Sequence, residues 1–441
     1  MKINFWVLWA LITALAVAAM ACTSGGGSSK TACGSAPEDV DDIPGTGEVL
    51  TAEQILERDP AVTQRAVLNW GWMFELTGPP QVQGFGEPTS DGVKLAVQEI
   101  NADGGFQVGD TIYTINLVER DTQSDIARTL AATTELVQDE QVCVIWGPAT
   151  LGEPEATQIT QQARVIHLCP CQQREQTALS SVEQAHGESQ WAFQTLLPFS
   201  LLIENAARDF IVDYPDFHTM ALICQNSVTG RDICERTKDA YEGVGVEVVA
   251  DIQYFPVGTT DYSPFLTKLV NEDPDYLFNY DDPLSTANIV RQALELGVGR
   301  LHLVTVPANL AEALVGRPLT VPVSAGAAPR QFVQPTTQEA ADFAERYKEF
   351  KGGQLPLAGF VSLMTYDYVY MLAGAMQQAG TVEDTTAIAK ALETLHYDGV
   401  AEDDLFFNSR HLAVHGTEPC IVQTGQPMKC THVPPPPEAA E

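Results

Sequence analysis

From Ala66 onward, short apolar runs alternate with stretches in which apolar residues return every three or four positions. The runs suit strands buried on both faces, and the periodic stretches suit helices that cover a sheet. "AVLNWGWMFEL", "YTINLVERD", "VCVIWGP" and "VIHLC" read as strands. Between them, "SDGVKLAVQEINA" (closed by Gly104-Gly105), "SDIARTLAATTELVQD" and "GEPEATQITQQAR" read as helices. Ahead of the first helix, "LTGPPQVQGFGEPT" reads as a Gly-Pro loop. Such a loop leaves a helix N-terminus open, which suits an anion or polar ligand, although it also serves simply to join strand to helix.

The alternation then starts again. "SLLIENAARDFIVDY", "GRDICERTKDAYEGVG" and "DYSPFLTKLVNE" read as helices; "TMALICQ", "VEVVADIQYF" and "DYLFNYD" read as strands. The pattern predicts an α/β fold of two lobes, each a parallel sheet flanked by helices. Ligands of open α/β sheets bind beyond the strands' carboxyl ends, so the expected site is the cleft between the lobes. "PLSTANIVRQALELGVG", "LHLVTV" and "LMTYDYVYMLAGAMQQAG" remain to be shared between them.

Composition narrows the function. The chain has 441 residues, with 24 Lys+Arg against 58 Asp+Glu for a net charge of −34. Charge of that sign argues against nucleic acid and anionic membrane surfaces as partners. Residues 1–21, "MKINFWVLWALITALAVAAMA", have the build of a secretory signal peptide. Ala19-Met20-Ala21 fits an ordinary A-x-A cleavage site. With Cys22 the same residues resemble a lipobox, with Ala19 where Leu is more usual. The Gly/Ser tether "TSGGGSSK" that follows favours lipidation of Cys22 and anchoring to a membrane. Residues 22–61 then form a lipid-anchored flexible leader with a short helix near "TAEQILER", and 431–441 a Pro-rich tail.

Lipidation of Cys22 leaves an even number of cysteines in an oxidising setting. Cys224 with Cys234 and Cys420 with Cys430 are predicted as local disulfides; Cys33, Cys143, Cys169 and Cys171 cannot be paired from sequence. "HLCPC" (His167–Cys171) has residue types that also bind soft metals, but exported thiols usually end as disulfides. His411 and His415 in "HLAVH" would share one face of a strand, read as a solvated face. No metal or cofactor is expected. There is no G-x-S-x-G, H-E-x-x-H or Gly-rich phosphate loop, so an enzyme is not expected either.

In order along the chain, "LTGPPQVQGFGEPTSDGVKLAVQEINADGG", "ERDTQSDIARTLAATTELVQDEQVCVIWGP", "FPVGTTDYSPFLTKLV", "NIVRQALELG" and "TYDYVYMLAGAMQQAG" resemble the branched-chain amino acid (leucine/isoleucine/valine) binding proteins of ABC importers. The resemblance runs from Leu68 to about Gly425. It implies the type I periplasmic binding fold, in which the chain crosses three times between Rossmann-like lobes. The boundaries expected are 62–195 and 283–398 for lobe one, and 196–282 and 399–430 for lobe two.

The same resemblance implies a ligand site. Phe85 falls where the family often has an aromatic over the ligand. Thr150, Leu151 and Gly152 match the loop that holds a ligand carboxylate, and Cys171, Gln172 and Gln173 match the segment that continues that grip. Thr229 matches a position often held by Tyr. Thr259 stands where amino acid binders carry an acid for the ligand ammonium, and Thr supplies no charge. Asp281 or Asp282 is a substitute; Asp282 before Pro283 also reads as a helix cap, which leaves Asp281 the better candidate. Each residue has a plainer reading too: Phe85 as a loop anchor, Thr150 and Thr229 as helix caps, Cys171 as a disulfide partner, Gln172 and Gln173 as exposed loop residues.

The function implied is that of an exported, envelope-anchored solute-binding lipoprotein that delivers an amino acid or similar polar ligand to an importer permease by hinge closure. A sensor or scaffold of the same fold, without transport, is the alternative.

Overall fold

The computed structural model describes residues 43–435 apart from 79, 150–151, 171–190, 197–202, 204–205, 209–213, 282, 305–314, 329–334 and 355–358. Residues 1–21, predicted as a signal peptide, together with Cys22, Cys33 and the end of the Pro-rich tail, lie outside the described residues.

The leader is structured from residue 43 onward rather than being a free tether to 61. β1 (Val49–Thr51) pairs in parallel with β14 (His396–Asp398). Thr51 then caps α1 (Ala52–Leu56) through a capping box with Gln54. Ile55, 1% exposed, is buried in the main core, and Gln377 donates to its carbonyl at 3.0 Å. The apolar face of this short helix ties the leader down.

The first sheet has the order β3 (Phe106–Val108), β4 (Thr111–Asp121), β2 (Gln64–Phe74), β5 (Val144–Trp146), β6 (Ile166–Cys169), β7 (Ala192–Gln194). All neighbours are parallel except β3 with β4. Trp70, Trp72 and Phe74 on β2 are buried, as a central parallel strand requires. Helices α2 (Pro80–Asp103), α3 (Ile126–Gln138) and α4 (Glu153–Ala163) accompany it.

The second sheet runs β10 (Gln253–Phe255), β8 (Thr219–Gln225), β11 (Tyr276–Tyr280), β12 (Leu301–Val304), β13 (Val323–Ala328), β17 (Glu418–Val422), β18 (Lys429–Cys430), with β9 (Glu247–Val248) also on β8. The expected strand "VEVVADIQYF" is thus two short strands, β9 and β10. Helices α5 (Val228–Gly243), α6 (Ser263–Leu266) and α7 (Pro283–Leu296) belong to this unit. The chain then returns to the first core through α8 (Gln338–Phe350), α9 (Gly359–Ala379) and α10 (Thr385–Leu392), with the ribbon β15 (Phe406–Phe407) and β16 (Ala413–Val414). It passes between sheets three times: after β7, after β13 and after β16.

The lobe boundaries read from sequence need correction at two places. α7, β12 and β13, assigned to lobe one within 283–398, belong to the second sheet, since Tyr276↔Leu301 and His302↔Val323 are in register. Residues 399–416, assigned to lobe two, pack on the first: Phe193 contacts Phe407 at 4.9 Å and stacks on His411 at 4.1 Å. A βα repeat looks the same whichever sheet it joins; strand register decides.

Residues 80–89 are helical, not a loop. Pro80 opens α2, where a missing N–H costs nothing. Gly86 gives close approach rather than flexibility, because a Cβ there would lie 2.6 Å from the Glu75 carbonyl oxygen. Gly92 likewise lets α2 touch α9: its Cβ would fall 2.2 Å from Ser362 O. Ser362 and Thr365 donate to the carbonyls of Pro88 and Thr89 at 2.8 and 2.9 Å. Among the described residues, no helix is long and apolar enough to cross a membrane.

Candidate functional site

At the carboxyl end of the first sheet stand the last residue of β4 and residues that follow β2 and β5. Glu75, fully buried, accepts the Ala149 N–H at 3.2 and 3.3 Å from its two oxygens. Asp121, at the end of β4, accepts the amides of Leu76, Thr77 and Gln123 and the Thr77 hydroxyl. Those bonds hold its carboxyl below the usual carboxylate range against the opposing effect of burial, the largest influence on it.

His167 locks the loop after β5 from beneath. Its Nε2 donates to Gly147 O at 2.7 Å, so Nδ1 accepts from the Thr157 hydroxyl at 2.9 Å. Burial pushes this imidazole down to about 4, which keeps it neutral. The metal reading of "HLCPC" fails here: both His167 nitrogens are occupied and Cys169 is disulfide-bonded. Cys143 is disulfide-bonded as well. The register Val144↔Ile166 sets the two four positions out of step along parallel strands, too far apart to bridge. Their partners therefore lie outside the described residues. The two predicted disulfides are present, Cys224–Cys234 and Cys420–Cys430.

α4 begins at this edge without a side-chain cap. Its N-cap Gly152 has φ +89°, and a Cβ there would meet Thr129 Cγ2 at 2.8 Å. Glu153, 9% exposed, is pushed up to about 8 by burial, reinforced by the Glu75 and Glu155 carboxylates. Thr150, Leu151, Cys171, Gln172 and Gln173 lie outside the described residues. Phe85 lies in the early turns of α2 and not in a loop; its side chain is outside the described set, as is that of Thr229 in α5.

On the second sheet, Gln225 ends β8 and Asp281 follows β11, its neighbour. Gln225 Nε2 donates to Asp281 Oδ1 at 2.7 Å, and the Thr286 hydroxyl donates to the Asp281 carbonyl at 3.2 Å. Asp281 thus stands at the strand end, half-buried and oriented. Ser227, not Thr229, caps α5, accepting the Gly230 N–H at 3.1 Å. Thr259 lies in the turn after β10, its hydroxyl donating to Pro256 O at 2.6 Å while Tyr262 donates to its carbonyl at 2.8 Å. Asp282 lies outside the described residues.

Sequence reasoning missed Glu75, Glu153 and Asn279. Asn279 on β11 is fully buried, with neither its amide nitrogen nor its oxygen hydrogen-bonded. A polar residue near the end of an apolar strand was the available signal. His411 and His415 are buried, not solvated. Asn408 Oδ1 accepts the amides of Arg410 and Leu412 at 3.0 Å, folding the segment into a turn with His411 at φ +55°.

Two α/β units joined by three crossovers, with polar residues at the carboxyl ends of both sheets, define a two-lobed binding protein. The chain belongs to the periplasmic binding protein family, whose model matches residues 69–423. Membership implies an extracytoplasmic location.

Solved structures share this fold. One is the branched-chain amino acid transporter substrate binding protein LivJ from Streptococcus pneumoniae in complex with isoleucine, with a TM-score of 0.67 at 20% identity over 83% of this chain and 100% of that one. A putative branched-chain amino acid ABC transporter from Silicibacter pomeroyi gives 0.70 at 19% identity, over 84% and 100%. An ABC transporter solute binding protein from R. palustris in complex with benzoate gives 0.64 at 16% identity, over 84% and 97%.

Proposed function

We propose that the chain is the solute-binding component of an ABC importer. It takes an amino acid or related small polar ligand between its lobes, and hinge closure follows from the ligand's greater affinity for the closed state. The observation that carries this reading is the pairing of two unlike strand ends. On the first sheet the α4 N-terminus has no side-chain cap, a setting that suits an anion. On the second, Asp281 is an acid held in place by Gln225. A zwitterion offers the complement of both. Phe85, Thr150, Leu151, Gly152, Cys171, Gln172, Gln173, Thr229 and Thr259 complete the proposed ligand set. Lipidation at Cys22 would keep the protein at the membrane beside its permease, and no catalytic step is assigned to it.

Thr259 leaves a second ligand class open, since its neutral side chain offers no partner for an ammonium, and the neighbour from R. palustris holds benzoate. Thermal unfolding of the full oxidised chain against amino acids, amides and simple carboxylates separates the classes. At ~100-fold its dissociation constant a ligand adds about 2.7 kcal/mol, an easily read shift. A shift with amino acids supports the zwitterion reading. A shift confined to ligands without an amine removes Asp281 from its assigned role, and no shift with any of them overturns the proposal.

A further inference from the structure

Where the third crossover enters the second sheet, two carboxylates lie almost wholly buried. Glu402 is 6% exposed and sits in the loop after β14; Glu418, 1% exposed, opens β17. Glu402 accepts the amides of Asp403 at 3.2 Å and Gly416 at 2.7 Å. Glu418 accepts the Thr336 hydroxyl, from the segment that leads out of the second crossover. Burying carboxylates at this density is costly unless positive charge faces them.

His432 faces both. Its Nε2 lies 3.6 Å from Glu402 Oε1 and its Nδ1 3.9 Å from Glu418 Oε1. Other ionisable groups near the cluster include His415, buried and pushed down to about 4 by that burial, and Tyr368, raised by burial and by the carboxylates of Asp367 and Glu402. Next to His432, Val433 pairs antiparallel with Thr417: the Thr417 N–H donates to Val433 O at 2.8 Å and the Val433 N–H donates to Thr417 O at 2.7 Å. Gly416 fits beneath because it has no Cβ, which would fall 2.5 Å from Val433 O and 2.6 Å from His432 Cε1. The Cys420–Cys430 disulfide fixes the point from which the segment departs.

We propose that Thr431–Pro435 is a strap across the third crossover, with His432 as its staple. One carboxylate belongs to the first unit and the other to the second sheet, so the staple restrains movement of one against the other. The C-terminal segment then restrains this crossover in addition to any restraint that a ligand supplies. The inference rests on topology and contacts, and it stands or falls independently of the ligand proposed above.

Hydrogen exchange at residues 414–418 of the full chain tests it, with the amides of β2 as an internal reference. In a variant ending at Cys430, Thr417 exchanges about tenfold faster or more while β2 is unchanged. His432→Gln gives an intermediate acceleration at the same amide, and His432→Lys, which places a cation between the two carboxylates, restores slow exchange. Unchanged Thr417 exchange in the shortened variant overturns the strap. Equal exchange in wild type and His432→Gln overturns the staple. Acceleration spread evenly over β2 and the crossover also overturns the proposal, because the segment would then be a general stabiliser only.

Discussion

Gln225 Nε2 donates to Asp281 Oδ1 at 2.7 Å, joining the last residue of β8 to the first residue after β11. The bond spans neighbouring parallel strands and fixes the direction of the one acid proposed for the ligand. Asp281→Ala should therefore weaken binding of an amine-bearing ligand by about 10- to 100-fold, the range for a lost charged hydrogen bond. Calorimetric titration of an amino acid found in the thermal screen measures it. Equal affinity in Asp281→Ala and wild type would sink the assignment.

Stability should peak near pH 6.5. Burial depresses His167, His302 and His415 from 6.5 to about 4. Between those values the unfolded chain binds the protons that the folded chain refuses. Their contribution is thus whole above 6.5 and lost as pH falls toward 4, at about 1.4 kcal/mol per pH unit for each ring. Glu153 works the other way, raised by burial from 4.5 to about 8, so its contribution is whole below 4.5 and lost as pH rises to 8. Urea unfolding from pH 4 to 8 should show a rise and then a shallower fall. In Glu153→Gln the fall should be absent.

Gly92→Ala should destabilise the protein although alanine is the better helix former. The added methyl would meet Ser362 O at 2.2 Å and Thr365 Oγ1 at 2.3 Å, where α2 and α9 touch. Overpacking of this kind costs about 1–3 kcal/mol. A Gly243→Ala control, near the end of α5 with open space around it, should be close to neutral. Thermal unfolding of the two variants side by side reads the difference.

Replacing Cys420 and Cys430 by serine should cost roughly 3 kcal/mol, as expected for a closed loop of about ten residues. The bond joins β17 to β18 at the register Cys420↔Cys430, beside the third crossover. Melting temperature in the absence of reductant measures the loss. If the double variant melts with the wild type, the loop is already ordered without its bridge.

Strand-helix periodicity was enough to specify two α/β units, because an apolar run between turn residues is buried wherever it goes. "TMALICQ" became β8 and "SDIARTLAATTELVQD" became α3 almost residue for residue. Spacing was also enough for the two local disulfides, since ten residues close on themselves without help from the rest of the chain. Which sheet a unit joins lies outside local sequence. α7 with β12 was placed in the wrong lobe because only the register against β11 distinguishes them. Gly86 misled in a similar way, reading as part of a loop where the Glu75 backbone demanded close contact with a helix. The site divides along this line. Asp281 was legible as an acid at a strand end. The burial of Glu75, Glu153 and Asn279 depends on neighbours that only the folded sheets supply, and Glu402, Glu418 and His432 meet only once the chain has crossed between its sheets three times.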